Sequence, residues 1–97
     1  MIKVIADNFI KEENVEKALP LFEKLVAETR KENGCICYEL YRDTKDTTHF
    51  VFDEQWESQA HLDAHFKTPH FTTIIPQVGA LADPSRTKSV QVLTIVF

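Results

Sequence analysis

Ninety-seven residues without an obvious linker leave room for one domain over 1–97, which at that length buries somewhat over ~60% of its unfolded surface. A net charge of −4 with scattered basic residues excludes a nucleic-acid binder, which needs a clustered basic stripe. No run of ~18 apolar residues is present to span a membrane, and the apolar start of MIKVIADNFIK, broken by Asp7 and Asn8, is too short for a signal core; the expected compartment is the cytoplasm.

Residues 2–9, IKVIADNF, alternate as a strand, with Ile2, Val4, Ala6 and Asn8 on one face and Lys3, Ile5, Asp7 and Phe9 on the other. Asn14 is then placed to cap a helix. Val15, Leu19, Phe22, Leu25, Val26 and Thr29 follow the helical period, Arg30 and Lys31 fall in the last turn, where cations suit the dipole, and Gly34 supplies a left-handed stop. Pro20 removes one backbone bond in the second turn and predicts a bend.

Residues 35–43 and 48–56, joined by the turn DTKDTT, predict a hairpin with Phe50, Phe52, Glu54 and Trp56 on one face. Cys35 and Cys37, alternate residues of one strand, share a face; so short a span strains a disulfide, and one C-x-C pair cannot complete a zinc site, so both read as reduced thiols. Ser58 caps a short helix, 59–66. Thr68 and Pro69 open another, which Pro76 disturbs and Gly79 helps to end. ALADPSRTKS is a loop, and residues 89–97, SVQVLTIVF, form a last strand.

Strand, helix, strand, strand, helix, strand is the split βαβ order: an α+β, ferredoxin-like fold with a four-stranded antiparallel sheet and helices on one face. The last strand is apolar on both faces, Val90, Val92 and Val96 on one and Leu93, Ile95 and Phe97 on the other. Helices on one side leave the second face bare, so a homodimer packed sheet to sheet is expected.

The stretch WESQAHLDAHFKTPHF, 56–71, holds three histidines. His61 and His65, four apart, could chelate a metal, but the glutamate of H-E-x-x-H is missing and spacing places no third ligand, so no metal is expected. His61, in the first turn, reads as solvated. His65, with Leu62, Phe66 and Phe71 around it, faces the sheet, either as a base suited to neutral pH or as a core histidine bonded to backbone. His70 either caps a pocket or is exposed. Trp56 is a core residue or a polar point in a pocket wall. Asn8, facing inward, bonds backbone or holds a substrate oxygen. With the Tyr38 hydroxyl and Phe22, Phe50, Phe52 and Phe71, these residues form either plain core or an aromatic cavity for a planar ligand.

TRKENGCICYELYRD (29–43) and EQWESQAHLDAHFKTPHF (54–71) resemble the antibiotic biosynthesis monooxygenase family, notably its small quinol monooxygenase members. The Asn-Gly-Cys turn before a strand Tyr and the run W…H-x-x-[ST]-P-H-F carry the resemblance, which spans nearly the whole chain. It implies a dimeric α+β barrel. Similar proteins include cofactor-free oxygenases of hydroquinones and anthrones, an isomerase of phosphorylated autoinducer-2, and haem degraders. Haem degraders share an asparagine at the position of Asn8, but have a tryptophan where this chain has His65 and an iron-ligating histidine where Ile74 aligns. His65 and His70 in H-x-x-T-P-H match the quinol monooxygenase and isomerase branches; a phosphosugar would want clustered bases, and the candidates, Arg42 and Arg86, are not clustered. The resemblance thus implies a monooxygenase of a quinol or similar polyphenol, using O2 and no cofactor. His65, Asn8 and Trp56 would be catalytic, and Tyr38, Phe22, Phe52, His70 and Phe71 would bind substrate. An isomerase using the same histidine and a non-catalytic small-ligand binder are the alternatives.

Overall fold

In a computed structural model describing residues 1–97, the alternating first segment is strand β1 (Ile2–Phe9), which buries Val4 and Asn8 on the expected face. It pairs antiparallel with β3 (His49–Trp56) and β4 (Val90–Leu93), and β3 pairs antiparallel with β2 (Cys35–Arg42), giving the order β2-β3-β1-β4. Register aligns the inward positions into rows: Tyr38, Glu54, Val4 and Val92 form one, and Leu40, Phe52, Ala6 and Val90 the next. Helices α1 (Val15–Thr29), α2 (Gln59–His65) and α3 (Pro69–Leu81) add Phe22, Leu25, Leu62, Ile74 and Val78 to the core over that face. No helix is long and apolar enough to cross a membrane. The fold is the expected ferredoxin-like α+β arrangement.

Several local expectations fail for identifiable reasons. Asn14 makes no cap bond; a 3-10 turn, Glu12–Asn14, leads into α1, and the Asn14 amide donates to the Leu81 carbonyl instead (3.3 Å). Along α1 the buried stripe is Ala18, Phe22, Leu25 and Thr29, and Leu19 is exposed. The helix stops at Thr29, before Arg30, whose Nε donates to the Tyr38 carbonyl at 3.0 Å. Gly34 has φ +84°, as a left-handed residue should, but it launches β2 rather than capping the helix.

Both α1 and α3 run unbroken through their prolines, and Gly79 lies inside α3 rather than at its end. Burial of Ile74 and Val78 on either side of Pro76 holds that segment helical despite the missing N–H. A β-bulge at Ile36 places Cys35 opposite Trp56 and Cys37 opposite Gln55, so the two thiols face opposite sides of the sheet. Regular pairing of the last strand ends at Leu93, opposite Lys3, where β1 itself is about to begin; residues 94–97 have no partner strand within the chain. There Ile95, Val96 and Phe97 are almost fully exposed, and Val90, Val92 and Leu93 are about half exposed.

Candidate functional site

Three local devices position the histidines. Ser58 Oγ accepts the His61 N–H and starts α2, whose last residue is His65. Thr68 then reaches both ways, donating from Oγ1 to the His65 carbonyl (2.8 Å) and accepting from the Phe71 N–H (3.3 Å). That double bond fixes the turn from α2 to α3 and lays His70 beside His65, ring centroids 6.2 Å apart.

Between the two rings comes Glu32, from the turn after α1. Its Oε2 lies 2.6 Å from His65 Nδ1 and 2.7 Å from His70 Nε2. A carboxylate acceptor there puts the proton of neutral His65 on Nδ1, leaving the lone pair on Nε2. The His65 ring is only 1% exposed, packed 4.8 Å from the Trp56 ring and edge-on to Phe71 at 4.9 Å. Burial holds its pKa below the ordinary imidazole value, outweighing the upward pull of Glu32. At neutral pH His65 is therefore an uncharged imidazole held in one orientation by Glu32.

His65 opens on an apolar cavity of about 70 Å³ between the helix-facing side of the sheet and helices α2 and α3. Asn8, Tyr38, Phe52 and Phe71 line it with His65, so five of the sequence-predicted residues converge. The Asn8 amide forms no side-chain hydrogen bond within the chain, against the expectation that such a residue commonly bonds backbone. Burial, then the neighbouring Glu54 carboxylate, push the Tyr38 phenol far above its usual pKa, so it stays a neutral hydroxyl.

Three predicted residues lie elsewhere. Trp56 sits one row further along the sheet and turns its indole N–H to Glu54 Oε1 at 2.9 Å, so it reaches the cavity only through that carboxyl. Phe22 stands behind Phe52, edge-on at 5.7 Å. His70 is on the far side of Glu32 and partly exposed. His61 is not solvated as expected: it is half-buried, its ring lies against Gly34, and its Nδ1 is 2.7 Å from Ser58 Oγ. It does not join His65 as a chelating pair.

Two site residues had no assigned role in the sequence. Glu32 lies in a charged turn segment that carries no periodicity. Glu54 had a usable signal, an acid at an inward position of an alternating strand, and burial raises its pKa to about 7.

The ligand that spacing could not supply is Glu32: with His65 and His70 it offers three donor atoms within 4.8 Å of one another, enough to hold a metal ion. The separations favour hydrogen bonds. Ligand atoms ~2.0–2.1 Å from a tetrahedral metal stand ~3.3 Å apart, longer than the 2.6 and 2.7 Å found here. Ile74, where the resemblance would place the iron ligand of haem degraders, is buried in the core and has no donor atom.

The family model described as antibiotic biosynthesis monooxygenase matches residues 1–77. A crystal structure of an antibiotic biosynthesis monooxygenase superposes with a TM-score of 0.94 at 43% identity, covering 99% of each chain. An uncharacterized Synechocystis protein, sll1783, is 34% identical over 88% of this chain and 59% of its own length. The Escherichia coli K12 protein named "Probable quinol monooxygenase YgiN" is 40% identical over 57% of this chain and 61% of its own. The chain thus spans about 60% of the length of these curated relatives.

Proposed function

This chain belongs to the antibiotic biosynthesis monooxygenase family, and we propose that it is a cofactor-independent monooxygenase oxidising a quinol or similar polyphenol with O2. The observation that carries the reading is His65: buried, uncharged, held by Glu32 at Nδ1, with Nε2 left for a ligand in an apolar cavity. Nε2 takes the proton of a ring hydroxyl, and the Asn8 amide and the Tyr38 hydroxyl hydrogen-bond the ring oxygens. The phenolate formed is its own electron source for O2, and the aromatic walls keep water from its charge.

We further propose a homodimer through the sheet faces. Leu93 faces away from the helices, and Val90 and Val92, though in the helix-facing rows, are still about half exposed, so the apolar run from Val90 to Phe97 needs a cover that the chain itself does not give. The cavity is far below the ~300–1,000 Å³ of ordinary ligand pockets, and Val90 of the edge strand lines it, so a partner against that edge would extend its wall. A phosphosugar isomerase is less well supported: Lys88 is the single cation in the lining, beside Asp7, while Arg42 lies over Phe50 and Arg86 over Phe9.

The test is oxygen uptake by the protein with substituted hydroquinones, in chelated buffer without flavin or nicotinamide. Saturable uptake that depends on His65 is expected. A substrate panel without uptake, alongside isomerase or binding activity, would reject the monooxygenase reading.

A further inference from the structure

Glu54 is the only carboxylic acid among the buried residues. The strand period turns it inward between Phe52 and Trp56, and the register sets it in the row between Tyr38 and Val4. It forms no ion pair. Its single hydrogen bond is the one that Oε1 accepts from the Trp56 indole N–H. Oε2 has no partner in the chain, and the residue lines the same cavity as His65. Burying a carboxyl without a cation is costly, and satisfying one indole N–H does not require it, since a neutral glutamine oxygen would accept the same bond.

We propose that Glu54 is a second proton-handling residue of the cavity, its free oxygen accepting the hydrogen of one substrate hydroxyl while His65 takes that of another. The site would then select dihydroxylated aromatics over single phenols. This rests on the monooxygenase reading for its chemistry but not for its geometry. The second O–H bond breaks toward Oε2, its electron pair staying on the ring oxygen. One atom of O2 then bonds to a ring carbon, whose hydrogen passes to the new hydroxyl. The other atom leaves as water with the two protons held by His65 and Glu54. The ring supplies all the electrons, becoming a hydroxyquinone.

The electrostatics agree. Burial raises the Glu54 carboxyl to about 7, with Glu32 and Asp53 adding to the rise and the Trp56 N–H opposing it. The other polar groups around the cavity are His65 on α2, Tyr38 on β2, Asp7 and Asn8 on β1, and Lys88 ahead of β4. Cys35 on β2 is also near. Close to neutrality Glu54 can therefore both take up a proton and return it.

Glu54→Gln tests this, because it keeps an acceptor for Trp56 while removing the ionisation. Anaerobic calorimetry with hydroquinone and with phenol isolates binding from turnover. The wild type should bind hydroquinone at least roughly tenfold more tightly than phenol, the scale of one hydrogen bond to a charged group, and Glu54→Gln should bind the two about equally. In air, the wild-type rate should rise with pH through two ionisations and that of Glu54→Gln through one. Trp56→Phe, which removes the opposing donor, should move the Glu54 limb to higher pH. A folded Glu54→Gln protein that keeps the wild-type binding ratio overturns the proposal. A wild type that binds hydroquinone preferentially through Glu54 but consumes no O2 overturns the monooxygenase reading and leaves the Glu54 assignment standing.

Discussion

Glu32 holds two histidines on one oxygen, and its replacement tests how the proposed base is made. Glu32→Gln keeps an oxygen able to accept from both His65 Nδ1 and His70 Nε2, now 2.6 and 2.7 Å away, but removes the charge. A hydrogen bond to a charged group contributes about 1.5–3 kcal/mol against about 0.5–1.5 for a neutral pair, so the His65 bond should weaken by about 1–1.5 kcal/mol. That corresponds to roughly tenfold in the population of correctly oriented imidazole, and so in turnover. Glu32→Ala leaves the buried Nδ1–H without a partner and frees the tautomer, and should cost roughly 10²-fold.

The pH dependence has a definite sign. Glu32 pulls the His65 pKa up while burial pulls it further down. Removing the carboxylate removes only the upward pull, so the acid limb of the rate should move to lower pH even as the plateau falls, because a weaker base is left. Oxygen uptake across pH measures both, and an NMR titration of the His65 ring measures the same displacement without substrate. A folded Glu32→Ala protein with wild-type turnover and an unmoved limb would refute the positioning role.

His65→Ala should lose about 10²–10⁴-fold in turnover, the usual contribution of a positioned base, whereas His61→Ala should keep the rate and lower only the melting temperature; equal activity of folded His65→Ala moves the search for the base to His70. Gly34→Ala should destabilise by about 2–4 kcal/mol in denaturant titrations, since a Cβ there is strained at φ +84° and runs into the His61 ring; adding His61→Ala should recover the steric part and leave about 1–2 kcal/mol, and no recovery would show that the ring is not the obstacle. Zn²⁺ added to dialysed protein should not raise the melting temperature, because the facing histidine nitrogens are engaged by Glu32; a saturable endpoint at one equivalent would establish a metal site instead. At micromolar concentration the protein should sediment as a dimer, and a folded monomer would leave the apolar row at Val90–Phe97 unexplained.

The elements that followed their sequence signals are those whose partners are close along the chain. Ser58 and Thr68 cap helices within three residues of themselves, β3 shows its inward face through strict alternation, and β1 shows its own less sharply, burying Val4 and Asn8. The failures are places where tertiary burial overrules a local rule. Pro76 should disturb α3, yet Ile74 and Val78 pack into the core around it and keep it helical. Cys35 and Cys37 should share a face, yet the extra residue Ile36 changes the phase. The apolar pattern of 89–97 is continuous, but a strand needs a neighbour to pair with, and β1 offers none beyond Ile2.

The site divides along the same line. A helical period suffices to turn His65 toward the sheet, because that depends on Leu62 and Phe66 beside it. Whether it becomes a base depends on what meets its nitrogens, and that group arrives from 33 residues away. Nothing within KENG marks Glu32 as that partner; its place is set by the end of α1 at Thr29 and the left-handed turn at Gly34. Glu54 is the opposite case. Its position was legible, since it shares the inward face with Phe50, Phe52 and Trp56, and an acid in such a row either finds a cation or has another use. It finds no cation, only the indole of Trp56. Glu54 and His65 line one apolar cavity, and on the proposed reading they suit a ligand bearing two acidic hydrogens.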